Sequence, residues 1–354
     1  MTAQNPIMEI AHVHDTLEWQ ARHCDQNSAP ITARVLRAMT GLLSGPTLVG
    51  ARMRGWPGLS LEDAMPLRLA GGLHYLWLSG AEPALGAVYR GEVEDAGAIV
   101  TEVVARHDAE LLPWFDGPPQ TNEAGRSAGI MAGLLWLSGR VGSRFEMNEI
   151  GCSAGANTMM ERYAYDLGGV RVGAEGSPVL IRPEWRGPPP PSGKVEITHI
   201  EGCDRAPIDL SDPAAALRLR AYVWAENHER MARLDGVIAL AQELAPILTQ
   251  ADAADWVERR LAAPQEAGVC RVLYHSIVWQ YLGDERRARI TAAMEQAGAA
   301  ATPERPLAWV MLETNRTTFR HELLVRYWPG GKEPALLGAA HAHGAWVEWF
   351  NPCG

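Results

Sequence analysis

The stretch NEIGCSAGAN, from Asn148 to Asn157, holds the residues with the most specific chemistry in this sequence. Gly151-Cys152-Ser153-Ala154-Gly155 matches G-x-S-x-G, the sharp turn that presents a nucleophilic serine in serine hydrolases. With Glu149 in front, the same letters read as E-x-G-x-S-x-G. That is close to the glycine loop of a nucleotide-binding Rossmann half. The two readings give different enzymes. In the first, Ser153 attacks, and it needs a later His and acid. His275, His321, His341 and His343 follow it, as do Asp252 and Asp255. In the second, Glu149, Gly151, Ser153, Gly155 and Asn157 form a cradle for a cofactor.

Two further segments offer polar chemistry. PPQTNEAGRSAG combines an amide, a carboxylate and a guanidinium within a few residues. It is either a capped helix start or a lip over the cofactor. In the second case Gln120 and Asn122 contact substrate, and Glu123 and Arg126 work at the reacting centre. LYHSIVWQYL carries His275, Ser276 and Tyr281. An imidazole takes protons near neutral pH, so His275 is the expected proton acceptor, with Tyr281 near the mouth. The two segments are expected to face each other across one cleft. His341-Ala342-His343 places two imidazoles on one strand face. No third ligand is placed by sequence, so no metal is expected.

Positioning these residues takes a sheet. From Arg144 onward, RFEMNEIG, KVEITHIEGCD, APILTQAD, CRVLYHS and LAWVMLETN read as strands. Helical patterns from Ser211-Asp212-Pro213 to about Leu244 and at DERRARITAAMEQAG separate some of them. ANTMMERYAYDLGG reads as a short helix ending on Gly168-Gly169. Residues of about 172–193 read as a proline-rich insertion, since four consecutive prolines cannot lie in a central strand. RHELLVRYWPGGKEPALLG is a hairpin. Alternating strands and helices imply a mostly parallel, right-handed sheet. Residues 1 to about 140 read as a separate helical domain, with Asp15 and Ser60 where N-caps would sit. That helical stretch disfavours the hydrolase, because several strands precede the serine turn in that fold. Ser153 is therefore read as part of a cradle.

Composition narrows the partners. The 354 residues are 47% apolar, enough for a packed core. A net charge of −10 disfavours a broad grip on nucleic acid. The most apolar run, Ala128 to Ser138, is too short to span a bilayer. Five scattered cysteines and the lack of a signal-like start point to a reduced, cytoplasmic setting.

The order of these elements resembles the S-adenosylmethionine-dependent methyltransferase fold. The resemblance rests on the Glu149–Gly155 loop, on Asp204 in EGCDRAPID, on Asp252 in LTQADAADW, and on His275, Ser276 and Tyr281. It implies that the loop meets the cofactor's amino acid part, that Asp204 accepts the ribose hydroxyls, and that Asp252 reads the adenine. Ser276 would close over the cofactor. The expected fold is thus α/β, a Rossmann-like methyltransferase-type sheet over residues 141–354 with a terminal antiparallel hairpin. The expected cofactor is S-adenosylmethionine, and the expected partner is a small molecule. Alternatives are a non-catalytic S-adenosylmethionine binder and a serine hydrolase. From end to end, HCDQNSAPI, QTNEAGR, EIGCSAGAN, RYAYDLGG and AHAHGAWVEW resemble a bacterial domain of unknown function, DUF2332-like. That likeness implies no activity.

Overall fold

The structure is a computed structural model and describes residues 12–350. It divides into two compact units. The first holds the chain up to Thr121 and also Asp212–Ala232; the second holds Asn122–Ser211 and everything from Arg233. The sequence reading placed a single boundary near residue 140. Residues 127–141 are helical, but their apolar surface lies against strands of the second unit, which periodicity alone does not reveal.

The first unit contains α1 (Val13–Gln26), α2 (Pro30–Ala38), α3 (Leu48–Arg54), α4 (Met65–Leu78), α5 (Gly86–Tyr89), α6 (Gly97–Arg106), α7 (Asp108–Leu111) and α9 (Pro213–Ala221). Leu36, Met39, Leu69, Leu73, Val100 and Val103 lie in its core. Gly71 of α4 lets Tyr222 pack directly on the helix; a Cβ there would sit 2.6 Å from the Tyr222 ring. Asp212 caps α9, accepting the Ala214 N–H at 3.0 Å, with Pro213 in the first turn. The other two expected caps are not caps. His12 precedes α1 and Asp15 lies inside its first turn. Ser60 hydrogen-bonds Thr16 at 2.8 Å, ahead of α4.

Among the described residues, the second unit is built on twelve strands: β1 (Arg144–Ile150), β2 (Ala164–Leu167), β3 (Val170–Gly173), β4 (Leu180–Ile181), β5 (Glu184–Arg186), β6 (Glu196–Asp204), β7 (Leu248–Gln250), β8 (Cys270–Ser276), β9 (Leu307–Thr314), β10 (His321–Trp328), β11 (Ala335–Ala340) and β12 (Trp346–Trp349). Its helices are α8 (Ser127–Val141), α10 (His228–Glu243, from Arg233 on), α11 (Ala253–Ala262) and α12 (Asp284–Ala300). The main sheet has the order β7-β6-β1-β8-β9-β10-β11-β12-β5. The first five are parallel to one another. β10, β11 and β12 then alternate in direction, and β5 closes the edge parallel to β12. The fold is α/β with a large, mostly parallel mixed sheet.

The parallel strands are covered on both faces, which is why CRVLYHS is buried along its whole length. Gly129 and Gly133 of α8 lie over Leu312 and Val310 of β9. The alternate residues, Leu307 and Trp309, pack with Ile290 and Met294 of α12 and Trp256 of α11. So α8 covers one face, and α11 with α12 covers the other.

Two local expectations are corrected. ANTMMERYAYDLGG is not a helix: a six-residue 3-10 turn (Asn157–Arg162) leads into the β2–β3 hairpin. Leu167 pairs with Val170, so Gly168-Gly169 is a two-residue hairpin turn with both φ positive, 63° and 95°. The helical pattern after Pro213 is two helices, α9 and α10, rather than one run.

No helix among the described residues is long and apolar enough to cross a membrane. Cys24, Cys152, Cys203 and Cys270 are buried free thiols; Cys353 lies outside the described residues.

Candidate functional site

The chain visits β1, β6 and β7 on one side and then β8 and β9 on the other. The order reverses between β1 and β8, and open α/β sheets bind ligands at the carboxyl edge of such a switch point. The loop at that edge is Gly151–Ala156.

Its shape follows from its neighbours. Gly151 and Cys152 both donate to the Cys203 carbonyl, at 2.8 and 3.1 Å, which turns the chain over the end of β6. Gly151 (φ 69°) and Gly155 (φ 75°) take left-handed backbone that disfavours a Cβ. A Cβ on Gly155 would lie 2.8 Å from Pro246, and one on Gly151 would overlap Val278. Ser153 adopts φ 52°, uncommon for a residue with a side chain.

Asp204, at the end of β6, ties the loop down. Its Oδ2 accepts the Ser153 N–H at 3.0 Å, and its Oδ1 accepts the Ala206 N–H at 2.9 Å. Asp204 is half-buried, and its oxygens retain further lone pairs. From the other side, Asn122 Oδ1 accepts the Ala156 N–H at 2.6 Å. QTNEAGR thus meets the glycine loop through Asn122.

Beneath the loop lies a buried polar cluster. Glu149 Oε2 accepts from Thr158 Oγ1 at 2.6 Å and contacts Tyr274 Oη at 3.2 Å. Tyr274 Oη also lies 3.1 Å from the Asn157 carbonyl. Burial is the main cause that pushes the Glu149 carboxyl up to about 7; the bonds from Thr158 and Tyr274 and the charge of Arg126 act against it, and Asp204 acts with it. Both polar atoms of the Asn157 amide are buried with no hydrogen-bond partner, and the residue is 1% exposed. An orphaned amide of this kind is the sort of group a ligand or an ordered water satisfies. Burial pushes the Cys152 thiol up, which disfavours its thiolate form.

QTNEAGR and YHSIVWQY also meet, but through backbone. Arg126 donates to the Ser276 carbonyl at 3.2 Å and to the Ala342 carbonyl at 2.8 Å. Glu123 accepts the Gly125 N–H at 2.9 Å and an Arg233 N–H at 3.0 Å. The His275 imidazole turns the other way. Along β8, Tyr274 pairs with Val310, on the α8 face, and His275 pairs with Met311, on the α11–α12 face. Glu123 is held by Gly125 and Arg233 ahead of α8, while the His275 side chain lies on the α11–α12 face.

His275 is instead held on both nitrogens. Trp309 Nε1–H only donates, and it reaches His275 Nε2 at 3.0 Å. The ring proton is therefore on Nδ1, which donates to Glu313 Oε1 at 2.6 Å. Glu313 also accepts the Val278 N–H at 3.0 Å, and Trp279 stacks on the imidazole with centroids 5.0 Å apart.

The remaining candidates are placed as follows. Asp252 caps α11, accepting the Ala254 N–H at 3.0 Å, and pairs with Arg286. Ser276 is buried and meets Arg126 through its carbonyl. Tyr281 is 77% exposed, so it is open to a ligand. Gln120 is half-buried in the first unit. His341 and His343 rings lie 5.7 Å apart. Among the described residues, no group of three or more His, Cys, Asp or Glu is placed to hold a metal ion.

The model of a family described as uncharacterized protein conserved in bacteria, DUF2332, matches residues 14–349. The chain belongs to the DUF2332 family. No curated protein and no solved structure matches it. The site of this DUF2332 chain is therefore defined by its own geometry. Thr158, Tyr274, Glu313 and Arg233 were not singled out from sequence. Thr158 had a weak signal, as a hydroxyl one position beyond Asn157. The other three join the site only through tertiary contacts across the sheet or from α10.

Proposed function

We propose that the second unit binds S-adenosylmethionine at the carboxyl edge of β1 and β6 and transfers its methyl group to a small molecule. The observation that carries this is the pairing of the Gly151–Ala156 loop with Asp204 at 3.0 Å, beside the switch point of a sheet whose parallel part runs β7-β6-β1-β8-β9. A glycine loop after the first strand and an acid at the end of the second are the two groups such a cofactor needs, one for close backbone approach and one for the ribose hydroxyls. The lone pairs left on Asp204 suit the second task. The amino acid carboxylate would lack a long helix to meet it, because a 3-10 turn follows the loop. The orphaned Asn157 amide is a candidate to take its place.

Methyl transfer is an in-line displacement, so positioning does most of the work. In this reading Arg126, Glu123 and Asn122 shape the substrate side, and Tyr281 stands at its exposed rim. His275 fixes the Ile277–Tyr281 segment through Glu313 and Trp279. A role for it as proton acceptor requires release of the Trp309 bond. Asp252 serves as a helix cap, with adenine recognition left to other groups.

One observation favours the serine hydrolase, the left-handed backbone of Ser153, since a nucleophile elbow is a strained turn. Against it, β1 is the first strand among the described residues, whereas several strands precede that elbow in the hydrolase fold.

A thermal-shift screen with S-adenosylmethionine, its demethylated product and NAD tests the proposal. Saturation at a hundredfold excess over Kd stabilises by about 2.7 kcal/mol. A rise with the first two and none with NAD supports it. Binding with no turnover on any acceptor would make the protein a non-catalytic binder. No rise with either adenosyl compound at millimolar concentration overturns the cofactor, and labelling of Ser153 by a fluorophosphonate would replace it with the hydrolase.

A further inference from the structure

Tyr274 has one hydroxyl proton and two oxygen neighbours that need it. Glu149 Oε2 is 3.2 Å away and the Asn157 carbonyl is 3.1 Å away. A carbonyl cannot donate, and an ionised carboxylate cannot donate either. With Glu149 ionised, one of the two contacts would set lone pairs against lone pairs inside a buried cluster. A proton on Glu149 removes the conflict. The acid then donates to Tyr274, and Tyr274 donates to Asn157. Thr158 Oγ1, 2.6 Å from the same carboxyl oxygen, offers a second hydroxyl partner.

We propose that Glu149 is a neutral carboxylic acid in the ligand-free protein, and that a cationic ligand at the Gly151–Ala156 loop displaces its proton. The second half rests on the proposed cofactor site. The balance is simple: the carboxyl O–H bond breaks, the carboxylate stays opposite the bound cation, and one proton passes to solvent. The other ionisable groups around Glu149 are few. Arg126, in the segment before α8, favours the ionised form, and Asp204, at the end of β6, opposes it. The Cys152 and Cys203 thiols and the Tyr163 and Tyr274 phenols are held neutral by burial. Burial likewise raises Glu161, on the same 3-10 turn as Thr158. A new positive charge near this cluster favours the ionised carboxyl. Binding then turns the Tyr274 O–H from the Asn157 carbonyl toward the Glu149 carboxylate, the phenol staying neutral, which links the loop to the 3-10 turn behind it.

Such linkage separates the cofactor from its product. S-adenosylmethionine carries a sulfonium charge, and S-adenosylhomocysteine does not. The ligand-free protein is tested first, by infrared difference spectroscopy of wild type against Glu149→Gln at about pH 6, between the ordinary and the raised Glu149 values. A protonated-carboxyl C=O band present only in wild type supports the neutral acid; its absence overturns it. Should Glu149→Gln not fold, Tyr274→Phe removes the acceptor instead. The band must then shift, and an unmoved band assigns it elsewhere and overturns the proposal. Calorimetric titration in two buffers of different ionisation enthalpy tests the linkage. At about pH 6, below the raised Glu149 value of about 7, about one proton should be released with S-adenosylmethionine and close to none with S-adenosylhomocysteine, with the difference lost in the Gln variant. Binding of both with the same proton release overturns it. If neither compound binds, the cofactor site fails and takes the linkage with it, while the infrared band still decides the state of Glu149.

Discussion

Asp204 Oδ2 lies 3.0 Å from the amide nitrogen of Ser153 and accepts a hydrogen bond from its N–H. With the Gly151 and Cys152 bonds to the Cys203 carbonyl, it joins the end of β6 to the loop after β1. It makes Asp204 an anchor of the glycine loop, and in the proposed cofactor site the same carboxylate would meet the ribose.

Removing that acid should act on both roles. Asp204→Ala strips acceptors from the Ser153 and Ala206 amides, and bonds to a charged group are worth about 1.5–3 kcal/mol. Urea denaturation should show a loss of that size, and calorimetry should show weaker S-adenosylmethionine binding. Asp204→Asn, which keeps one acceptor oxygen, should fall between. Unchanged stability and unchanged affinity would reduce Asp204 to a passive turn residue.

A purely structural centre sits at the opposite end of β1 and β8. Arg271, 3% exposed, donates to Glu146 at 3.0 and 3.2 Å and to the carbonyls of Arg260, Ala263 and Pro264 at 2.8, 2.9 and 2.7 Å. Removing one side of a buried ion pair costs about 3–5 kcal/mol. Arg260 still pairs with Glu146 at 2.9 Å, so Arg271→Ala should lower stability by about 3 kcal/mol, the low end of that range, while leaving any ligand affinity of the folded fraction intact. A loss below about 1 kcal/mol would contradict this placement.

The strands of the second unit were legible because buried parallel strands are continuous apolar runs between turn residues. CRVLYHS and LAWVMLET announce themselves that way. The β2–β3 hairpin was misread although its signal is present. Tyr163, Tyr165 and Leu167 alternate as buried residues, and Gly168-Gly169 is a strong two-residue hairpin turn. The preceding Met-Met-Glu-Arg run carries helical propensity and drew the assignment toward a helix. The glycine loop and Asp204 were legible as motifs. The fate of His275 was not, because alternation along a strand fixes its face only once the covering helices are known. Its partners Glu313 and Trp309 come from the neighbouring strand. The same limit hid Tyr274, whose meeting with Glu149 is a matter of register between β1 and β8.

The buried carboxyl gives a pH signature with a definite sign. Glu149 is raised from 4.5 to about 7 in the folded protein, chiefly by burial. Its stabilising contribution is present below 4.5 and is lost as pH rises toward about 7. Relative to Glu149→Gln, wild type should lose on the order of 3 kcal/mol across that window and then level off. Chemical denaturation of both proteins at several pH values checks it. A stability difference independent of pH would mean that Glu149 titrates alike in both states.

Hydrogen–deuterium exchange with and without S-adenosylmethionine tests the central claim most directly, because it reports where a ligand sits. Ligand at the carboxyl edge of β1 and β6 should slow exchange in the peptides covering Gly151 to Thr158 and Asp204 to Ala206, where the backbone amides of Ser153, Ala156 and Ala206 are already bonded. Asp204→Ala should weaken that protection. Protection confined to other segments, or none at saturating ligand, would contradict the assignment of this loop as the cofactor cradle.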